Sequence, residues 1–165
     1  MPTTEDKRDV GLRDRMRERI LATLERVLDA GYDEVVVVSH SFGTVIAVDA
    51  LREWPDGTEL ARLRLVTLGS PLAVLRCRSE WVRRELDGLL ESGRLPRWTD
   101  YFATTDWMCK EVPGHRAAYD GQTHRLDFEA PWAQRLTGQT HMLYYRDQTV
   151  LTDLAAPWRP VPPSG

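Results

Sequence analysis

The chain reads as an α/β fold, a short and mostly parallel sheet flanked by helices in three layers. Three observations carry that reading. Val35-Val36-Val37-Val38 is an unbroken β-branched run, which suits a strand buried on both faces of a parallel sheet. It leads through Ser39-His40-Ser41-Phe42-Gly43 into Thr44-Val45-Ile46-Ala47-Val48-Asp49-Ala50-Leu51, apolar enough to be a helix packed behind that sheet. Further strand-like runs then alternate with segments of helical period, and such alternation implies parallel strands joined by right-handed crossovers.

Each element has its own signal. Leu12, Met16, Ile20, Leu24 and Leu28 recur every four residues with Arg and Glu between, so a helix with one buried face precedes the first strand and ends at Ala30-Gly31. The helix after the first strand runs to about Trp54, where Pro55-Asp56-Gly57 turns the chain. Leu63-Arg64-Leu65-Val66-Thr67-Leu68 is a second strand, closed by the turn Gly69-Ser70-Pro71. From Ser79 to Leu90, Trp81, Val82, Leu86, Leu89 and Leu90 share one helical side. Tyr101-Phe102-Ala103-Thr104 and His124-Arg125-Leu126-Asp127-Phe128 are the third and fourth strands, and a last helix spans Asp147 to Ala155. Residues 1–156 therefore form one domain, and the Pro-rich residues 157–165 a loose tail.

Composition narrows the function. The 165 residues are 42% hydrophobic and 28% charged, ordinary for one soluble globular domain. No apolar run approaches the roughly 20 residues of a membrane span. Met1-Pro2-Thr3-Thr4-Glu5-Asp6 lacks the parts of a signal peptide, so the expected location is cytoplasmic. A net charge of -3 without a basic stripe argues against a nucleic-acid partner. Cys77 and Cys109 show neither paired nor ligand spacing, so no metal, disulfide framework or cofactor is expected.

The chemistry concentrates at the first strand-to-helix turn. A turn that sharp strains the backbone of its apex, Ser41, and lifts its side chain clear of both elements. Gly43 lets helix and strand approach, and Ser39 stands where the G-x-S-x-G pattern has its first glycine. With this turn the chain resembles the α/β-hydrolase family, in its serine esterase and lipase-like branch, and the resemblance makes Ser41 the nucleophile. Leu65-Val66-Thr67-Leu68-Gly69-Ser70-Pro71-Leu72 looks like the strand and turn that follow the nucleophile helix there. Trp98-x-Asp100-Tyr101, leading to Asp106, is similar to the W-x-N-Y segment and its acid, with Asp100 for the usual Asn and Trp107 where proline often follows. His141, ahead of Tyr144-Tyr145, is similar to the histidine loop before the last helix. The likeness runs from about residue 12 to 155.

A serine hydroxyl needs a base within reach and a third group to orient that base. Ser41, Asp106 and His141 stand in the order nucleophile, acid, histidine, which is the order of the hydrolase fold. Asp106 lies just past a strand, where open parallel sheets bind their ligands. Competing bases are His124, the runner-up, His115 and His40, whose side chain is expected to point away from the apex. Competing acids are Asp100, Asp127 and Glu111. Ser70 reads as a turn residue before Pro71, and Arg83, Arg84 and Arg94 as the solvated face of a lid-like segment over residues 76–97.

The resemblance implies an oxyanion hole made of the Phe42 backbone N–H plus a donor from a loop upstream of the first helix. Only 34 residues precede Val35. The expectation is an amino-terminally shortened hydrolase, with the first strand at a sheet edge open to a second copy or a partner chain. Two functions follow. The leading one is hydrolysis of a small carboxylic ester or thioester through an acyl-enzyme. The alternative is a non-catalytic or incomplete module that binds an acyl ligand or a partner chain.

Overall fold

The computed structural model describes residues 4–55, 61–93, 95, 97–114 and 122–156. The tail, His115, Arg94 and the Asp56-Gly57 half of the first turn lie outside them. Strands β1 (Val35–His40), β2 (Leu63–Leu68), β3 (Arg97–Ala103) and β4 (Gln122–Leu126) pair in parallel, in the order β1-β2-β3-β4. Helix α1 (Thr4–Asp29) precedes β1, α2 (Gly43–Arg52) follows it, and α3 (Leu72–Arg76) and α4 (Glu80–Ser92) lie between β2 and β3. After β4 come α5 (Trp132–Leu136), a 3-10 helix (Gln139–Arg146) and α6 (Gln148–Ala155).

Side-chain alternation along β2 sorts the core into two layers. Leu63 and Leu65 join Leu24, Leu28, Val48, Leu51, Leu86 and Trp98 on the face covered by α1, α2 and α4. Val66 and Leu68 join Tyr101, Ala103, Leu126, Phe128, Tyr144 and Val150 on the other face, under the 3-10 helix and α6. All six β2 residues are buried, Arg64 among them. Its charge is answered there: Nε lies 3.4 Å from Glu34 and Nη1 3.2 Å from Asp153, as a buried guanidinium requires.

Four expectations shift, each for a physical reason. The valine run is not buried on both faces: Val36 and Val37 are half-buried and Val38 is 44% exposed, because among the described residues β1 is an edge strand flanked from one side. Strand β3 starts at Arg97 rather than Tyr101. Its polar residues hide it, since Asp100 is buried and accepts hydrogen bonds from Thr67 Oγ1 at 2.6 Å and the Val112 N–H at 2.9 Å. The fourth strand is displaced two residues toward the amino terminus, to Gln122–Leu126. Helices α3 and α5, five residues each, add to the elements the sequence predicts, being too short to show a period. In contrast, α4 has the limits its caps dictate: the Ser79 hydroxyl accepts from the Val82 N–H and Gly93 takes the left-handed conformation.

The α1 stripe divides. Leu24 and Leu28 are buried under β1 and β2, while Leu12 and Met16 remain 52% and 42% exposed. Among the described residues no helix is long and apolar enough to cross a membrane.

The layering predicts a contrast measurable by urea denaturation. Leu65→Ala, in fully buried β2, should cost about 2–5 kcal/mol. Val38→Ala, at the exposed edge, should cost less than about 1 kcal/mol.

Candidate active site

Ser41 has φ 54°, the one positive φ outside glycine among the described residues. A side chain in that conformation costs about 1–2 kcal/mol, so neighbouring bonds must hold it. The Ser41 N–H donates to the Leu68 carbonyl at 3.1 Å, extending the sheet ladder one residue past β1. The Ser41 carbonyl accepts from the Thr44 N–H at 3.0 Å and from Thr44 Oγ1 at 2.8 Å. Thr44 Oγ1 in turn lies 3.0 Å from Ser70 Oγ. With the threonine proton committed to Ser41, the Ser70 hydroxyl donates in this pair, and it accepts from the Leu72 N–H at 3.2 Å. Ser70 is thus fully buried turn architecture, as read from the sequence. Ser39 fits at the first glycine position of the motif because its hydroxyl is satisfied by the Val66 carbonyl at 3.3 Å. Phe42, at the start of α2, has no side-chain cap, and its N–H lies at the positive end of the helix dipole.

Gly69 mirrors Ser41 on the next strand. Its φ is 54° and its N–H donates to the Tyr101 carbonyl at 2.9 Å. A Cβ there would stand 2.7 Å from Tyr144 Cε2 and 3.1 Å from His141 Cε1. Glycine is required because the two rings occupy that space. His141 therefore packs on the turn whose preceding residue, Leu68, holds Ser41.

Asp106 and His141 meet. His141 Nδ1 lies 2.6 Å from Asp106 Oδ2, and both residues are buried. The carboxylate also accepts from the Tyr144 hydroxyl at 3.1 Å on the same oxygen and from the Met108 N–H at 3.1 Å on the other. This directs His141 to carry its proton on Nδ1 when neutral. Nε2 is then a buried acceptor, and it has no hydrogen-bond partner. No Ser41–His141 hydrogen bond is formed, and contacts of this kind tighten in the substrate complex. His141 stands in the 3-10 helix rather than in a loop, because Gly138 with φ 73° starts a helical turn just before it.

Tyr144 is the residue that sequence reasoning used only as a landmark. Its hydroxyl donates to Asp106, accepts from the Ala103 N–H at 3.0 Å, and lies 3.0 Å from Cys109 Sγ. Burial holds the Tyr144 hydroxyl far above its ordinary titration range and pushes the Cys109 thiol up to about 12. Both stay protonated, so the chain of donors runs from Cys109 through Tyr144 to Asp106. Nothing local in the sequence announces a contact across 38 positions.

His40 packs against His141. Its ring lies 4.5 Å from that of His141, and its Nε2 lies 2.8 Å from the His141 carbonyl. A carbonyl only accepts, so Nε2 carries the proton. Burial lowers the His40 pKa below 6.5. The other candidates lie apart from the Asp106–His141 pair. His124 stacks on Tyr101 at 4.9 Å, Asp100 serves Thr67 and Val112, and Asp127 is exposed beside Arg125. Glu111 is exposed and accepts from Thr123. Among the described residues no group of three or more metal-ligating side chains assembles.

A family model described as the alpha/beta hydrolase family matches residues 4–165. The chain belongs to this family. No curated protein and no solved structure gives a significant match. Membership agrees with the parallel sheet and its flanking helices, and it supports a hydrolase.

Three outcomes test this geometry. Gly69→Ala should destabilise the fold and displace the His141 ring, visible as a changed imidazole resonance in NMR spectra. Cys109 should resist iodoacetamide at pH 8 in the folded protein while exposed Cys77 reacts. The Cys109 pKa is raised on folding, from 9.0 to about 12, so the folded state holds this proton more tightly. The thiol's contribution to stability is complete below about pH 9 and declines as pH rises toward 12. Stability of the native chain should therefore fall more steeply over that window than that of Cys109→Ala.

Proposed function

We propose that the chain is a serine hydrolase that cleaves a carboxylic ester or thioester through Ser41, His141 and Asp106. One observation carries the reading. His141 is anchored through Nδ1 to a buried carboxylate at 2.6 Å, while its buried Nε2 is left without a protein partner, and its ring packs on Gly69, the residue after the Leu68 carbonyl that holds the strained Ser41 turn. A buried acceptor left unpaired costs about 1–3 kcal/mol, and a proton-accepting task accounts for it.

In the proposed reaction Ser41 Oγ attacks the carbonyl carbon as Nε2 takes the hydroxyl proton. The Phe42 N–H donates to the oxyanion that forms. Asp106 stabilises the imidazolium and keeps it oriented, with Tyr144 and Met108 holding the carboxylate in place. The bond to the leaving group then breaks, and Nε2 returns the proton to the departing alcohol or thiol. Water attacks the acyl-enzyme and gives a proton to Nε2; the bond to Ser41 Oγ then breaks, Nε2 returns the proton to that oxygen, and the carboxylic acid leaves. Another alcohol in place of water would make the same site an acyltransferase.

A second reading, a binding module without turnover, draws support from the free edge of β1 among the described residues. A fluorophosphonate probe and a short-chain activated ester separate the two. The hydrolase reading expects covalent labelling of the native chain at Ser41, none for Ser41→Ala, and a loss of turnover of about a millionfold in that variant. Asp106→Asn should lose about ten-thousandfold. A folded native chain that neither labels nor turns over would replace the enzyme with the binding module.

A further inference from the structure

We propose that His40, the residue before the proposed nucleophile, is a positioning residue for His141, tying the Ser41 turn and the base into one unit. The inference rests on the serine-hydrolase reading and adds a residue to that site. His40 ends β1 and Ser41 follows it directly. The His40 Nε2–H donates to the His141 carbonyl at 2.8 Å, so a single hydrogen bond joins the residue next to the serine to the backbone of the base, 101 positions away. The two rings also pack, with centroids 4.5 Å apart and planes tilted by 38°. Tyr145, from the same 3-10 helix as His141, brings its ring within 5.0 Å of the His40 ring.

His141 is thereby held at three points. Asp106 takes Nδ1, the missing side chain of Gly69 leaves room for Cε1, and His40 holds the carbonyl. Asp106 and Gly69 follow β3 and β2 and orient the ring, whereas His40 stands on the nucleophile's own strand and fixes the backbone that carries the ring. A misplacement of about 1 Å between reacting groups costs on the order of a hundredfold in rate. The contact calls for a donor of this reach on a flat ring without a permanent charge. Burial lowers the His40 pKa below 6.5, so His40 is neutral at pH 7, where His141 would accept the serine proton. A lysine or arginine there would set a cation against the imidazolium and oppose the proton transfer. Phenylalanine would keep the packing and lose the donor.

The test compares the native chain with His40→Phe and with His40→Gln, whose side-chain amide can place an N–H near the position of Nε2. With p-nitrophenyl acetate, His40→Phe should lower kcat by about tenfold to a hundredfold and leave KM within about twofold, the mark of a lost transition-state interaction. His40→Gln should recover kcat to within about threefold of the native value, because the hydrogen bond is remade. An unchanged kcat, a change in KM alone, or equal losses in the two variants overturns the proposal. So does a loss in His40→Phe as deep as that in His141→Ala. A second arm needs no turnover. On a Ser41→Ala background with ¹⁵N-labelled histidine, NMR follows the His141 Nδ1–H, whose bond to Asp106 depends on where the ring stands. His40→Phe should shift or weaken this signal and His40→Gln restore it; a signal that His40→Phe leaves unmoved overturns the proposal. Should His40→Phe not fold, His40→Asn, whose amide is one methylene shorter, takes its place in both arms. If the native chain cleaves no ester yet the signal responds as expected, the hydrolase reading fails and the tie between His40 and His141 stands.

Discussion

Two backbone hydrogen bonds that continue the sheet ladder past the ends of its strands hold this molecule's site together. The Ser41 N–H reaches the Leu68 carbonyl and the Gly69 N–H reaches the Tyr101 carbonyl. Parallel pairing places the last residues of β1 and β2, His40 and Leu68, level with Tyr101 of β3, and these bonds fix how the chain leaves that level. Both turns then need φ near 54°. At Gly69 the missing side chain opens the space filled by His141 and Tyr144; at Ser41 the same φ carries a side chain. The same backbone geometry thus does opposite things on adjacent strands.

Buried polar groups sit at both ends of the sheet, and each is answered from a distant element. At the carboxyl ends Asp106 gathers His141, Tyr144 and a backbone N–H. At the amino ends Arg64, the second residue of the most buried strand, is answered by Glu34 ahead of β1 and Asp153 in α6. Removing one partner from such a pair costs about 3–5 kcal/mol. The 3-10 helix and α6 are thereby tied to the sheet at both ends, through His141 and Tyr144 at one and Asp153 at the other. The histidine is held by the same packing that closes the second core layer.

Helix α1 links the core to a surface cleft. Its carboxyl half supplies Leu24 and Leu28 to the first layer, and its amino half leaves Leu12 and Met16 facing the space beside α2. Asp49 on α2, held by Arg13 and approached by Arg17, ties the two helices together.

The local determinants were legible in the sequence. Four valines, a Ser-x-Ser-x-Gly turn and an apolar helix specify a strand, an elbow and a packed helix, because backbone sterics and hydrophobic period act over a few residues. Strand β2, the α4 caps and the order Ser41, Asp106, His141 were readable for the same reason. What only tertiary structure decided depends on residues far apart in the chain: the burial of Asp100 that lets β3 begin at Arg97, the exposure of Val38 at an edge, the turn of His40 onto His141, and the reach of Tyr144 to Asp106. A side chain's partner across 38 or 101 positions follows from how layers stack, and no local period encodes that distance.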